Sequence, residues 1–244
     1  MRAAVIADIH SNLTALLAVL QDAEQRGIDE LWCLGDIVGY GPDPSACLTL
    51  VRDNATVCLA GNHDLAAIEK VEISRFNAPS AEALRWTTKQ LSDDDRAFLG
   101  GLPSKMERDG ITFAHASPRD PIWEYVMSGD SAMAAFQNFT TRLCFVGHSH
   151  VPFLCIEPMA GSPGNSYGYP GPVGLALGEG RAIINPGSVG QPRDHDPRAS
   201  YLIYDSAREA FFNHRVAYNI PVTQERMQAA GLPEYLARRL SDGT

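Results

Sequence analysis

The chain has 244 residues, 45% of them hydrophobic and 20% charged, enough material for one large core or two small ones. Its net charge of −9 argues against a general grip on nucleic-acid backbone or an anionic membrane. No apolar run approaches the ~18 residues of a membrane span.

The opening MRAAVIADIH reads as a strand and not as a leader, so a cytoplasmic chain is expected. AAVIA stops at DIHSN, and a helical pattern follows over 13–26, with Asn12 as its N-cap and Gly27 as its stop. LWCL runs into GDIVGYGPDP and a helix over about 43–53; TVCLA runs into GNHD. Helices are expected over 79–91 and 92–100, the second opened by Ser92 with Asp95 in a capping box. ITFAHASP and LCFVGHSH resume the strand-and-loop device on either side of a helix near 130–138. Such alternation predicts parallel strands covered by helices.

From residue 151 the pattern changes. PFLCIE, RAIINPGS, SYLIYD and EAFFNHRVAY read as antiparallel strands, and a Gly/Pro-rich loop over 157–174 separates the first two. One C-terminal helix is expected over 222–240, broken near GLP, and the whole chain 1–244 reads as a single domain. Cys33, Cys47, Cys58, Cys144 and Cys155 show no CxxC spacing and read as buried thiols in a reducing compartment.

Five of the seven histidines fall at the ends of the predicted strands. The clusters are Asp8 with His10; Asp36; Asn62, His63 and Asp64; His115; and His148 with His150. In open α/β sheets ligands bind at one such edge, and a strand's period of two would turn His148 and His150 to one side. Imidazole, carboxylate and amide without thiolate suit Mn, Fe or Zn. The donors are too many for one ion and enough for two, the clamp used to activate water and hold a phosphate. Singly, each residue has a plainer reading: Asp8 and Asp36 as turn or cap residues, His115 as a strand-end histidine, Asp64 as the N-cap of the next helix.

The ordered set DIH…GD…GNHD…H…GHSH resembles the calcineurin-like metallophosphoesterase superfamily. GDIVGYGPDP, HASPRDP and NPGSVGQPRD are similar to its small bacterial phosphodiesterase and phosphatase branch. The resemblance implies an α/β (α+β) fold, a two-sheet sandwich flanked by helices in four layers. It implies Asp8, His10 and His150 on one metal, Asn62, His115 and His148 on a second, and Asp36 bridging both, with a hydroxide between the ions as nucleophile. His63 would assist the leaving group, with Asp64 orienting its ring. Arg119 and Arg193, in Pro-containing loops, are candidate substrate cations, and Tyr40 a candidate cover or stacking surface. His195 stands where the resemblance leads one to expect glycine. The implied partner is a small phosphate ester, nucleotides included, with no long nucleic acid and no membrane. The other readings are a metal-binding interaction module on the same scaffold and a hydrolase of non-phosphate bonds.

Overall fold

The protein is described from a computed structural model covering residues 1–157, 166–168, 175–176 and 180–244. The first half alternates as expected: β1 (Arg2–Ile6), α1 (Leu13–Gln25), β2 (Glu30–Cys33), α2 (Pro44–Asn54), β3 (Ala55–Cys58), α3 (Asn62–Ala67), α4 (Ala78–Gln90) and α5 (Asp93–Gly101). Next come β4 (Lys105–Arg108), β5 (Ile111–Ala114), α6 (Gly129–Phe136) and β6 (Leu143–Phe145). The remainder is β7 (Phe153–Ile156), β8 (Ser166–Gly168), β9 (Leu175–Ala176), β10 (Ala182–Asn185), β11 (Ala199–Asp205), β12 (Ala210–Val216), α7 (Ile220–Ala229) and α8 (Glu234–Asp242).

The strands form two six-stranded sheets, ordered β3-β2-β1-β11-β12-β9 and β4-β5-β6-β10-β7-β8. β1, β2 and β3 are mutually parallel, and β5, β6 and β10 likewise. The other strands after residue 151 supply antiparallel partners, β11 lying against both β1 and β12, whereas β10, expected to be antiparallel, is parallel to β6 and antiparallel only to β7. The alternation along β1 shows why the layers stack. Ala3 and Val5 face the second sheet with Trp32, Phe113, Phe145, Leu202 and Phe211, whereas Ala4 and Ile6 face the helices with Leu16, Val19, Leu48 and Leu84. Phe136, Cys144, Phe153 and Ile183 seal the far side of the second sheet under α6. Helix, sheet, sheet and helix are the four layers.

Two further elements depart from expectation, the β4–β5 hairpin and a strand in the 157–174 segment. β4 and β5 form a hairpin across Asp109-Gly110, both with positive φ, a turn signal overlooked in the sequence. The break expected near GLP is present: the C-terminal segment forms two helices, parted at Gly231 (φ +70°) and Pro233. The 157–174 segment contributes β8, paired to β7; the rest of that loop lies outside the described residues. No helix among the described residues is long and apolar enough to cross a membrane.

Candidate metal centre

The C-terminal ends of β1, β2, β3, β5 and β6 meet at one edge of the sandwich. They bury Asp8, His10, Asp36, Asn62, His63, Asp64, His115, His148 and His150 to 4% exposure or less. The convergence of His148 and His150 does not come from the strand pleat. β6 has ended at Phe145, and Asp8, His10, Asp36, His148 and His150 all take left-handed backbone, with φ between +50° and +65°. Such conformations cost non-glycine residues on the order of 1 kcal/mol or more each. Here the turns are braced by Asp8 N–H to Gly35 O (3.0 Å) and His10 N–H to Asp36 O (3.0 Å). Close approach dictates a glycine at 61, where a Cβ would lie 2.1 Å from Asp36 Oδ1.

The imidazoles are set by their outer nitrogens. Nδ1 of His10 donates to Val38 O (3.1 Å), that of His115 to Leu34 O (2.9 Å), and that of His150 to Gln191 O (2.6 Å). Each neutral ring then offers the Nε2 lone pair inward, the state a metal ligand needs. Nε2 of His10 and Nε2 of His150 stand 3.1 Å apart, two lone pairs with no proton between them. Asp36 Oδ1 accepts the His63 N–H (2.9 Å), while its Oδ2 lies 3.7 Å from His10 Nε2 and 3.5 Å from His115 Nε2. Asp8 Oδ2, Asp36 Oδ2 and His148 Nε2 are buried without a partner. Buried orphans of this kind are costly. The donor set therefore fits cations, in two groups that share Asp36: Asp8, His10, Asp36 and His150, and Asp36, His115 and His148. Asn62 Oδ1, 3.2 Å from His115 Nε2, adjoins the second group.

Electrostatics agree. Burial, with Asp36 nearby, pushes the Asp8 carboxyl well above its usual range, and burial raises Asp36 to about 7. Burial lowers His10, His63, His148 and His150 well below the usual imidazole value and takes His115 down to about 4. Carboxylates that resist ionising beside imidazoles that resist protonation form a pocket short of positive charge, which divalent ions would supply.

His63 stands apart from the lone-pair cluster. Its ring edges onto His10 (4.7 Å), Tyr40 (4.4 Å) and Phe76 (4.9 Å), and its Nδ1 is buried without a partner. The expected Asp64–His63 ring contact is not made. Asp64 is the N3 residue of α3, not its N-cap, and its carboxylate accepts the Val38 N–H (3.0 Å) and Gly61 N–H (2.9 Å), tying the β2 loop to the β3 loop. Arg119 is not brought to the cluster either; it is exposed and paired with Glu124. Arg193 does reach it: Nη2 donates to Tyr40 OH (3.3 Å) and Gln191 Oε1 (2.9 Å), and Nε is buried without a partner. Tyr40 lies 4.5 Å from the His10 ring. His195 adopts φ +65°, the backbone glycine would favour, with its N–H bonded to Gly243 O (2.8 Å). Sequence reasoning missed Phe76 and Tyr125, whose ring stacks on His148 at 4.1 Å. Neither sits in a polar strand-end motif.

Residues 1–209 match the calcineurin-like phosphoesterase superfamily domain. An uncharacterised protein of Methanocaldococcus jannaschii is 42% identical over 242 residues, covering 97% of this chain and 96% of that one. A metallophosphoesterase of Sphaerobacter thermophilus superimposes with a TM-score of 0.90 at 45% identity, over 100% of this chain and 99% of the other. A symmetrical bis(5'-nucleosyl)-tetraphosphatase of Aliivibrio fischeri is 37% identical over 100 residues, 35% of this chain and 37% of that enzyme. The chain belongs to the calcineurin-like phosphoesterase superfamily.

Proposed function

We propose that this superfamily member hydrolyses small phosphate esters, nucleotides among them, with two divalent ions of the Mn, Fe or Zn type. Asp8, His10 and His150 would hold one ion, Asn62, His115 and His148 the other, and Asp36 both. The observation that carries this reading is the set of imidazoles whose Nδ1–H groups are spent on backbone carbonyls while Nε2 atoms and orphaned carboxylate oxygens converge. When bound, such ions supply Lewis acidity and an activated water.

The chain's own residues do the rest. Arg193, fixed by Tyr40 and Gln191, neutralises phosphoryl oxygens and orients the ester. His63, held against Tyr40 and Phe76 and outside both donor groups, faces the departing oxygen as proton donor or stabiliser of its charge. Burial of every donor keeps bulk water from competing for the phosphate.

Metal-free protein reloaded with Mn should hydrolyse members of a panel of aryl monoesters, aryl diesters, nucleotides and dinucleoside polyphosphates. The partial likeness to a bis(5'-nucleosyl)-tetraphosphatase makes the last group worth including. Hydrolysis of amides or lactones with phosphate esters untouched would overturn the reading, as would activity undiminished in metal-free protein.

A further inference from the structure

The segment between β5 and α6 runs past the centre on a support of its own making. Ser117 Oγ and the Arg119 guanidinium both engage Glu124, and Asp120 Oδ1 accepts the N–H groups of Ile122 (3.1 Å) and Trp123 (3.2 Å). Arg119, expected at the substrate, is thus part of that support. The segment brings two rings to the centre. Tyr125 stacks on His148 (4.1 Å, 19°), and Trp123 meets Phe76 (5.2 Å), whose own ring meets His63 (4.9 Å). Phe76 follows a single 3-10 turn, Ile73–Arg75, and the Arg75 guanidinium lies over the Trp123 ring at 4.0 Å. Outward from His63 the row is therefore Phe76, Trp123, Arg75.

Core packing does not account for this row. Phe76 borders the helix-side core, but Trp123 and Tyr125 belong to no hydrophobic cluster among the described residues. Phe76 and Trp123 are part-buried and Arg75 is exposed. Nor does charge pairing hold Arg75. Arg108, Arg119 and Arg181 each pair with a glutamate, whereas Arg75 has no carboxylate partner among the described residues and its guanidinium rests on the indole face. In a chain of net charge −9, an unpaired cation at the end of a row of rings leading to His63 suits an anion joined to a flat group.

We infer that Phe76, Trp123 and Arg75 form the leaving-group subsite, and that the favoured leaving group is itself a nucleotide, with a flat base for the rings and a further phosphate for Arg75. The inference rests on the phosphoesterase reading, which puts His63 at the departing oxygen and Arg193 at the phosphoryl group under attack. It adds the class of group beyond the scissile bond. The two arginines then act on different charges. Arg193 meets the phosphoryl group being cleaved; Arg75, at the rim, meets a charge present before and after cleavage, so its effect falls on binding more than on the chemical step. None of the three residues enters a covalent step: the oxygen of water joins phosphorus, the P–O bond to the nucleotide breaks, and the nucleotide departs.

The test uses Mn-loaded protein with diadenosine tetraphosphate (leaving group flat and charged), phenyl phosphate (flat only) and ethyl phosphate (neither). Effects are read as ratios of kcat/KM between substrates, each variant against wild type. Arg75→Gln should lower the dinucleotide-to-phenyl ratio about two- to fivefold, the weight of an exposed charge pair. That drop should shrink as salt is raised toward about 1 M, and Arg75→Lys should restore most of the ratio. Trp123→Ala should lower the dinucleotide and phenyl constants relative to ethyl by about two- to tenfold, the weight of a ring contact, and Trp123→Phe by less. Ratios unmoved in Arg75→Gln and Trp123→Ala, or an Arg75→Gln effect indifferent to salt, overturn the subsite and leave the phosphoesterase reading in place. So does a wild type that cleaves phenyl phosphate but not the dinucleotide. A wild type that cleaves none of the three overturns both.

Discussion

The two halves of the donor cluster share Asp36 but are built differently. Asp8, His10 and His150 sit beneath Tyr40 and Arg193, and both imidazoles are pinned by carbonyls of well-braced loops, Val38 and Gln191. With Asp36 this half offers two carboxylates. The other half offers one shared carboxylate, the Asn62 amide, His115 pinned by Leu34, and His148 under the half-exposed Tyr125. Were both halves to hold an ion, charge and cover would favour the first as the tighter site.

Removing what the halves share should do the most damage. Asp36→Asn keeps an oxygen for the His63 N–H but takes the anion from between the two groups. Activity should fall by more than about 10⁴-fold, the bulk of metal-dependent catalysis, and elemental analysis should find both equivalents weakened. Asn12→Ala is the contrast. Asn12 caps α1 through Ala15 N–H (3.2 Å) and also donates to Gly190 O (2.9 Å) and Tyr218 OH (3.2 Å), so its loss should cost about 1–3 kcal/mol of stability and leave kcat alone. Equal, mild losses of activity in both variants would refute the bridging role.

His63 is next, since the proposed role places it in the chemistry and in neither half. His63→Ala should retain metal while kcat falls roughly 10²–10⁴-fold, the usual worth of a positioned acid, and less for aryl esters, whose leaving groups need little protonation. Collapse of metal content would make His63 a ligand. Equal loss on aryl and alkyl esters would replace proton donation with charge stabilisation. Asp64→Asn should not reproduce this pattern: its two backbone N–H partners make it a buried knot between loops, and an amide must leave one of them unsatisfied. Its effect belongs to stability, about 1–3 kcal/mol in a melting experiment.

How much of this was legible depended on whether a residue's role is local. Asp8, His10, Asp36 and the other strand-end donors announce themselves because each strand stops at a polar, turn-forming cluster, and the parallel order of those strands follows from the helices between them. The left-handed backbone that aims them was hidden, since Asp and His do not advertise positive φ as glycine does. Tyr125, Phe76 and the true partner of Arg119 depend on where one irregular segment crosses the fold, and no period in the sequence records that. The Asp109-Gly110 hairpin was legible and overlooked.

Metal removal sharpens the comparison directly. A limiting chelator should withdraw one equivalent before the other, with affinities separated by about 10- to 100-fold, the scale on which supporting partners tune metal ligands. His148→Ala should keep one equivalent after desalting. A single-step titration, or His10→Ala keeping more metal than His148→Ala, would contradict the assignment of the tighter half.

The smallest effect lies outside both halves and isolates the scaffold from the centre. His214 on β12 is half-buried beside the Tyr201 ring (5.1 Å), with Arg26, Asp22 and Arg2 as its charged neighbours. Burial, then Arg26, lowers its pKa to about 4, against roughly 6.5 in an unfolded chain. Between those two values the unfolded chain takes up a proton that the native protein refuses. Its contribution is thus fully present above about pH 6.5 and is lost as pH falls toward 4. The ring is half-exposed, so solvent screening reduces the effect to about 1 kcal/mol, well below the unscreened linkage. Denaturant unfolding of metal-free wild type and His214→Gln at pH 7.5 and pH 4.5 would measure it without interference from metal loss. The wild type should lose about 1 kcal/mol more than the variant over that interval, and parallel losses would place the acid sensitivity in the donor cluster instead.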